Sequence, residues 1–157
     1  MFCVAGSAAT RPDVGTWSLH RDPEFGFSIR YPSDLFEPLE SDTPSFHYFM
    51  SRDRKAKLFI GAWNNRDRQT PASVRQWLLE NGQGGDDVVY DPHGRSWFVL
   101  SGYHQEKIYY EKVMFTCAGG LVSIFGINYP IAERKIYDAI VERMEDAFTP
   151  STNCSFR

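Results

Sequence analysis

The chain predicts an α+β domain, an antiparallel β-sheet with helices packed on it. Strand-like runs follow one another through short turns, as antiparallel neighbours do. A short amphipathic helix interrupts them and a longer one closes the chain, so the helices sit apart from the strands rather than alternating with them. Aromatic residues make up 15% of the sequence, and such rings favour a pleated, half-buried surface. At 157 residues the chain fits one domain. Residues 1–16 read as a disordered or processed N-terminal segment and 17–157 as a single α+β domain.

Each element has its own signal. Arg11-Pro12-Asp13-Val14-Gly15 has linker composition. Phe25 to Tyr31 places apolar residues at every odd position, the period of a strand with one buried face. Pro32-Ser33-Asp34 is turn chemistry, and Leu35-Phe36-Glu37-Pro38 forms a short apolar plug. Ser45–Ser51 sets Phe46, Tyr48 and Met50 on one face, and Lys57–Trp63 continues after the charged tip Arg52-Asp53-Arg54-Lys55. Thr70 as N-cap and Pro71 at the first helical position open a short helix with the stripe Val74, Trp77 and Leu78. Asn81-Gly82 stops it. Asp87–Asp91, Ser96–Tyr103, Lys107–Cys117 and Leu121–Tyr129 then read as strands, the last two joined through Ala118-Gly119-Gly120. Pro130 opens the final helix, with Ile136, Ile140, Met144 and Phe148 as its buried stripe and Tyr137 and Val141 flanking it. Its last turn carries Glu142, Glu145 and Asp146, which oppose the helix dipole, so packing must hold it.

Three cysteines, Cys3, Cys117 and Cys154, suggest one staple and a spare thiol, and hence an oxidising compartment. The geometry allows Cys117–Cys154. A final helix of roughly 18 residues rises about 27 Å, close to the about 30 Å of the strand before it. A helix running back along the sheet therefore returns the chain to the Cys117 end. The bridge would close a loop of about 37 residues; two free thiols are the alternative. Cys3 stands in an uncharged, small-residue N-terminus that admits three readings: the remnant of a signal peptide, the lipidated start of a lipoprotein, or a cytoplasmic N-terminus.

Charge and motifs narrow the function classes. Net charge is −3 with a pI near 5.8, which draws in neither nucleic acid nor anionic lipid. His20, His47, His93 and His104 lack zinc-ligand spacing, and Asp86, Asp87 and Asp91 lack the spacing of a calcium loop. Ser101-Gly102 lies within a strand instead of a nucleophile elbow, and the glycines at 82, 84 and 85 follow a helix instead of joining strand to helix. No catalytic residue, metal or cofactor is implied. Two surfaces stand out. Arg52, Arg54, Lys55, Lys57, Arg66 and Arg68 could meet an acidic partner or be a solvated tip that discourages edge pairing. Tyr103, His104 and Tyr109 could line an aromatic cleft or be cross-strand packing.

With the elements placed, the chain resembles the PsbP-like family and its Ran-binding-factor relatives. The resemblance rests on Phe25-Gly26-Phe27-Ser28-Ile29-Arg30-Tyr31-Pro32-Ser33-Asp34-Leu35-Phe36, the Trp97–Gly102 strand, Tyr109-Tyr110-Glu111-Lys112 and a final helix ending in Ala147-Phe148. It implies an α/β/α sandwich and a largely non-enzymatic protein that acts through its surfaces, with no shared catalytic residue to carry over. The expectation is a non-catalytic, exported binding module in the periplasm or cell envelope. Its partner would be another protein, not a nucleic acid, with membrane tethering through a lipid on Cys3. The alternatives are a small enzyme or ligand-binding domain with a cleft near Tyr103, His104 and Tyr109, and a cytoplasmic location. A pocket that buries His104 beside a carboxylate would favour the enzyme.

Overall fold

A computed structural model of the chain describes residues 15–82 and 87–155. Cys3 and the rest of segment 1–14, together with Gly84, Gly85 and Asp86, lie outside the described residues. Among the described residues nine strands and two α-helices follow in order: β1 (Trp17–Arg21), β2 (Ser28–Pro32), β3 (Phe36–Leu39), β4 (Phe46–Ser51), β5 (Lys57–Asn64), α1 (Pro71–Asn81), β6 (Asp87–Tyr90), β7 (Trp97–His104), β8 (Lys107–Thr116), β9 (Leu121–Pro130) and α2 (Arg134–Ala147). Strands β3 to β9 form one antiparallel sheet in the order β3-β4-β5-β9-β8-β7-β6, and β1 and β2 pair as a separate hairpin. The fold class is α+β, with helices on an antiparallel sheet.

The sheet divides the core in two. On one face α2 and the β1–β2 hairpin cover Phe49, Leu58, Ile60, Val99, Tyr110, Phe125 and Ile127. On the other, α1 contributes Val74 and Leu78 to a smaller cluster with Phe98, Leu100, Tyr109, Val113, Val122 and Ile124. Alternation along β8 sends Ile108 and Tyr110 to the first cluster and Tyr109 and Val113 to the second, the period of two that a strand imposes.

Local chemistry explains the element ends. The Thr70 hydroxyl accepts from the Ser73 amide at 3.1 Å and Ser73 Oγ accepts from the Thr70 amide at 2.8 Å, a reciprocal cap for α1. Pro38 lies in the edge strand β3, where a missing N–H costs no ladder bond. The β7–β8 turn holds Gln105 and Glu106 at φ 49° and 62°, and the β8–β9 turn holds Cys117 and Ala118 at 57° and 54°. Both have the positive φ of tight hairpins; the first adopts it without glycine, and the second adds Gly119 at φ 88°.

Three details depart from the sequence reading. β1 carries little strand signal, because Leu19 faces solvent and Trp17 is half-buried; pairing with β2 makes the strand. Trp77 is 56% exposed, so α1 buries only Val74 and Leu78 of the expected stripe. Ile136 is 44% exposed, whereas Ile140, Met144 and Phe148 of the expected stripe are buried together with the flanking Tyr137 and Val141. The turn Ile131–Glu133 is a 3-10 helix, so α2 begins only at Arg134. Tyr137 stacks on Tyr129, ring centroids 5.0 Å apart, and meets Phe36 edge-on at 6.3 Å. The acidic last turn of α2 finds a cation in the sheet: Lys112 Nζ lies 3.0 Å from Glu145 Oε1.

The C-terminal tail runs back to the hairpin. Thr149 bridges Ser28, and the buried Ser151 accepts from Thr116 Oγ1 through its carbonyl and donates its hydroxyl to the Phe25 carbonyl. Beyond it Cys154 is joined to Cys117, with Cα atoms 5.4 Å apart. No helix among the described residues is long and apolar enough to cross a membrane.

Candidate functional site

Helix α1 is 11 residues long, about 16 Å at 1.5 Å per residue, whereas β8 and β9 have 10 residues each and span about 33 Å. The helix therefore leaves part of its sheet face uncovered. The gap is a groove of about 670 Å³. Val74, Trp77 and Leu78 of α1 form one wall; Phe46 and Tyr48 of β4 and Phe59 and Trp63 of β5 form the other. Phe46 and Trp63 stack with centroids 6.2 Å apart, and Trp63 Nε1 donates to Gln69 Oε1 at 3.2 Å. Tyr48 and Trp77 are 40% and 56% exposed, an apolar rim that water does not favour.

Glu111 of β8 lines the same groove. It is 6% exposed, and burial pushes its carboxyl up to about 7 from 4.5. No described side chain pairs with that carboxyl, and desolvation alone accounts for its shift. Its neighbour across the ladder is Gly126 of β9. A Cβ at Gly126 would come within 2.3 Å of the Phe59 ring, so the glycine lets that ring lie flat over the strand beside Glu111. His104 of β7 also lines the groove, half-buried.

The sheet splits the aromatic cleft that the sequence suggested. His104 lines the groove and Tyr109 is buried beneath α1, but Tyr103 packs on the opposite face, in the α2 core. Tyr103 and His104 are consecutive strand residues and must point to opposite faces. Glu111 stands in the Tyr109-Tyr110-Glu111-Lys112 motif without an assigned role. A carboxylate at an inward position of a strand, between Tyr109 and Val113, was the available signal.

No family model matches the sequence, and no curated protein matches it. Solved structures do. Cyanobacterial PsbP (CyanoP) from Synechocystis sp. PCC 6803 superposes with a TM-score of 0.62 at 14% identity, over 92% of this chain and 99% of that one. The Saccharomyces cerevisiae Ran-binding protein Mog1p superposes with a TM-score of 0.61 at 8% identity, over 90% and 99%. This is the PsbP/Mog1 fold. At these identities the likeness is one of architecture alone.

On this PsbP/Mog1 fold the basic residues do not form one patch. Arg52, Arg54 and Lys55 sit at the β4–β5 tip with Lys57 beside them, whereas Arg66 and Arg68 follow the far end of β5. Eight strand residues, about 25 Å, lie between the two groups. Arg52 and Arg54 also share Glu37, at 3.5 and 3.8 Å, which lowers the charge at the tip.

A polar cluster that the sequence did not suggest ties the β1–β2 hairpin to β4. The buried Asp22 accepts from the Phe25 amide at 2.6 Å and the Glu24 amide at 3.1 Å, and lies 2.8 Å from His47 Nε2. The His20 ring lies 4.3 Å from the His47 ring, and its Nε2 is buried without a partner. Burial, then the charge of His47, lowers the His20 pKa; Asp22 opposes them. Among the described residues no group of three or more His, Cys, Asp or Glu side chains is arranged to hold a metal ion.

Proposed function

We propose that this protein is a non-catalytic binding module that works outside the reducing cytoplasm, with the groove beside α1 as its working surface. The observation that carries the reading is the groove itself, a concave aromatic surface left open by a short helix. The sheet edges are poorer surfaces: β3 is short and holds Pro38, and β6 carries a register irregularity between Val88 and Tyr90. A partner therefore meets a face of the sheet. The same architecture in a protein named for binding Ran supports a binding role, with another protein as the partner. The bond between Cys117 and Cys154 supports export to the periplasm or envelope. A lipid on Cys3 would then tether the module to a membrane.

A second reading, a small enzyme or small-ligand site, is favoured by the joint presence of His104 and the buried Glu111 in one groove. Backbone amide NMR tests the choice of surface. Binding should move resonances of α1, β4 and β5, and shifts confined to the α2 face would overturn it. Intact mass of unreduced protein from the envelope fraction tests the location: a loss of two hydrogens is expected, and free thiols at Cys117 and Cys154 would count against export.

A further inference from the structure

We propose that the groove takes an apolar organic cation, its ammonium head against the Glu111 carboxyl and its body on the aromatic walls. The inference rests on the groove being the working surface, takes the small-ligand reading of it, and adds the chemistry of its occupant. Glu111 is nine-tenths buried, lines the cavity and has no described partner. Among the described residues the lining holds no lysine or arginine, and His104 is its one basic side chain, so a second anion would meet the Glu111 carboxyl with little to offset it. A neutral apolar ligand would cover the carboxyl and finish its desolvation without a hydrogen bond in return. A cation resolves that conflict, because a buried carboxyl with a positive partner keeps its charge in a favourable contact.

The walls fit the rest of such a molecule. Tyr48, Phe59 and Trp77 present ring surfaces to the cavity, and ring faces attract cations as well as apolar groups. Tyr48 and Phe59 lie 6.4 Å apart between centroids. The side-chain oxygens of Gln69 and Asn81, also on the lining, can accept from further ammonium protons. A volume of about 670 Å³ is that of a small-molecule site. Burial holds the Glu111 carboxyl near 7. It is therefore poised to take up charge when a cation arrives.

The test is a titration of the full chain at pH 7.5 with 4-phenylbutylammonium, dodecylammonium and the alcohols of the same two bodies, read by calorimetry and amide NMR. The ammonium compounds should bind at least about tenfold more tightly than the alcohols, with shifts in α1, β4, β5 and around Glu111. Glu111→Gln should erase that preference while leaving alcohol binding in place. Trp77→Ala, an exposed position whose loss leaves the core intact, should weaken both. Equal binding of ammonium and alcohol within the groove, or an undiminished preference in Glu111→Gln, would overturn the cation while leaving the groove as the working surface. Shifts elsewhere, or none with any of the four probes, would overturn the cation and the small-ligand reading together.

Discussion

Reducing the Cys117–Cys154 bond should lower stability without dissolving the fold. The bond closes a loop of 37 residues that contains β9 and all of α2. In the chain-entropy model, constraining a loop of that length in the unfolded state stabilises the native state by about 4 kcal/mol. For a domain of this size each kcal/mol moves the midpoint by about 2–4 °C, so reduction should lower Tm by about 8–16 °C. The native tail should stay docked. Thr149 still bridges Ser28, and Ser151 keeps its contacts with Phe25, Thr116 and Ser123, none of which needs the sulfurs. Calorimetry with and without reductant, alongside a Cys117→Ser/Cys154→Ser variant, measures the shift. Urea titration adds a second readout, since an uncrosslinked unfolded chain exposes more surface and should raise the m-value. Midpoints within about 1 °C of each other, with the bond verified by mass, would refute the entropic reasoning.

Three further outcomes follow from named groups. Folding raises the Glu111 pKa from 4.5 to about 7, so between those values the native state holds the extra proton and stability falls as pH rises. Glu111→Gln escapes that penalty. Its stability advantage in urea should grow from near zero at pH 4 to on the order of 3 kcal/mol at pH 8, and a pH-independent difference would refute it. His20 behaves oppositely: its pKa is lowered, so native stability is present above about 6.5 and is lost as pH falls. NMR titration should place its imidazole below the usual histidine value, with Asp22 and His47 as the charged groups facing it; a value at or above 6.5 would contradict the burial argument. Finally, replacing Gln105-Glu106 by Asn-Gly suits the positive φ of both positions and should add about 1 kcal/mol in chemical denaturation. A loss of stability would show that the native side chains contribute more than the backbone strain costs.

Much of the scaffold was legible because its causes are local. The Thr70-Pro71 start of α1, the charged tip between β4 and β5 and the long pair β8 and β9 all follow from turn chemistry and alternation within a few residues. β1 was not legible, since its five residues owe their strand to β2 across a loop. The exposure of Ile136 on α2 has a related reason. Ile136, Ile140, Tyr137 and Val141 all fit a helical stripe, and the stacking of Tyr137 on Tyr129 decides which side of it turns inward. The groove was only half visible. His104 was singled out, but its companions Phe46, Phe59 and Glu111 come from strands far apart in the chain.

The sequence by itself therefore determined the class of fold, the order of its elements after β1 and the positions of most of its turns, because propensity, capping and period act over a few residues. Tertiary structure decided which strands became neighbours, and so which side chains share a surface. Strand alternation separates two faces but does not say what lies beside a residue on its own face. That is why Tyr103 left the cleft expected of it, and why Glu111, in the middle of β8, became a buried carboxyl under an incompletely covered sheet.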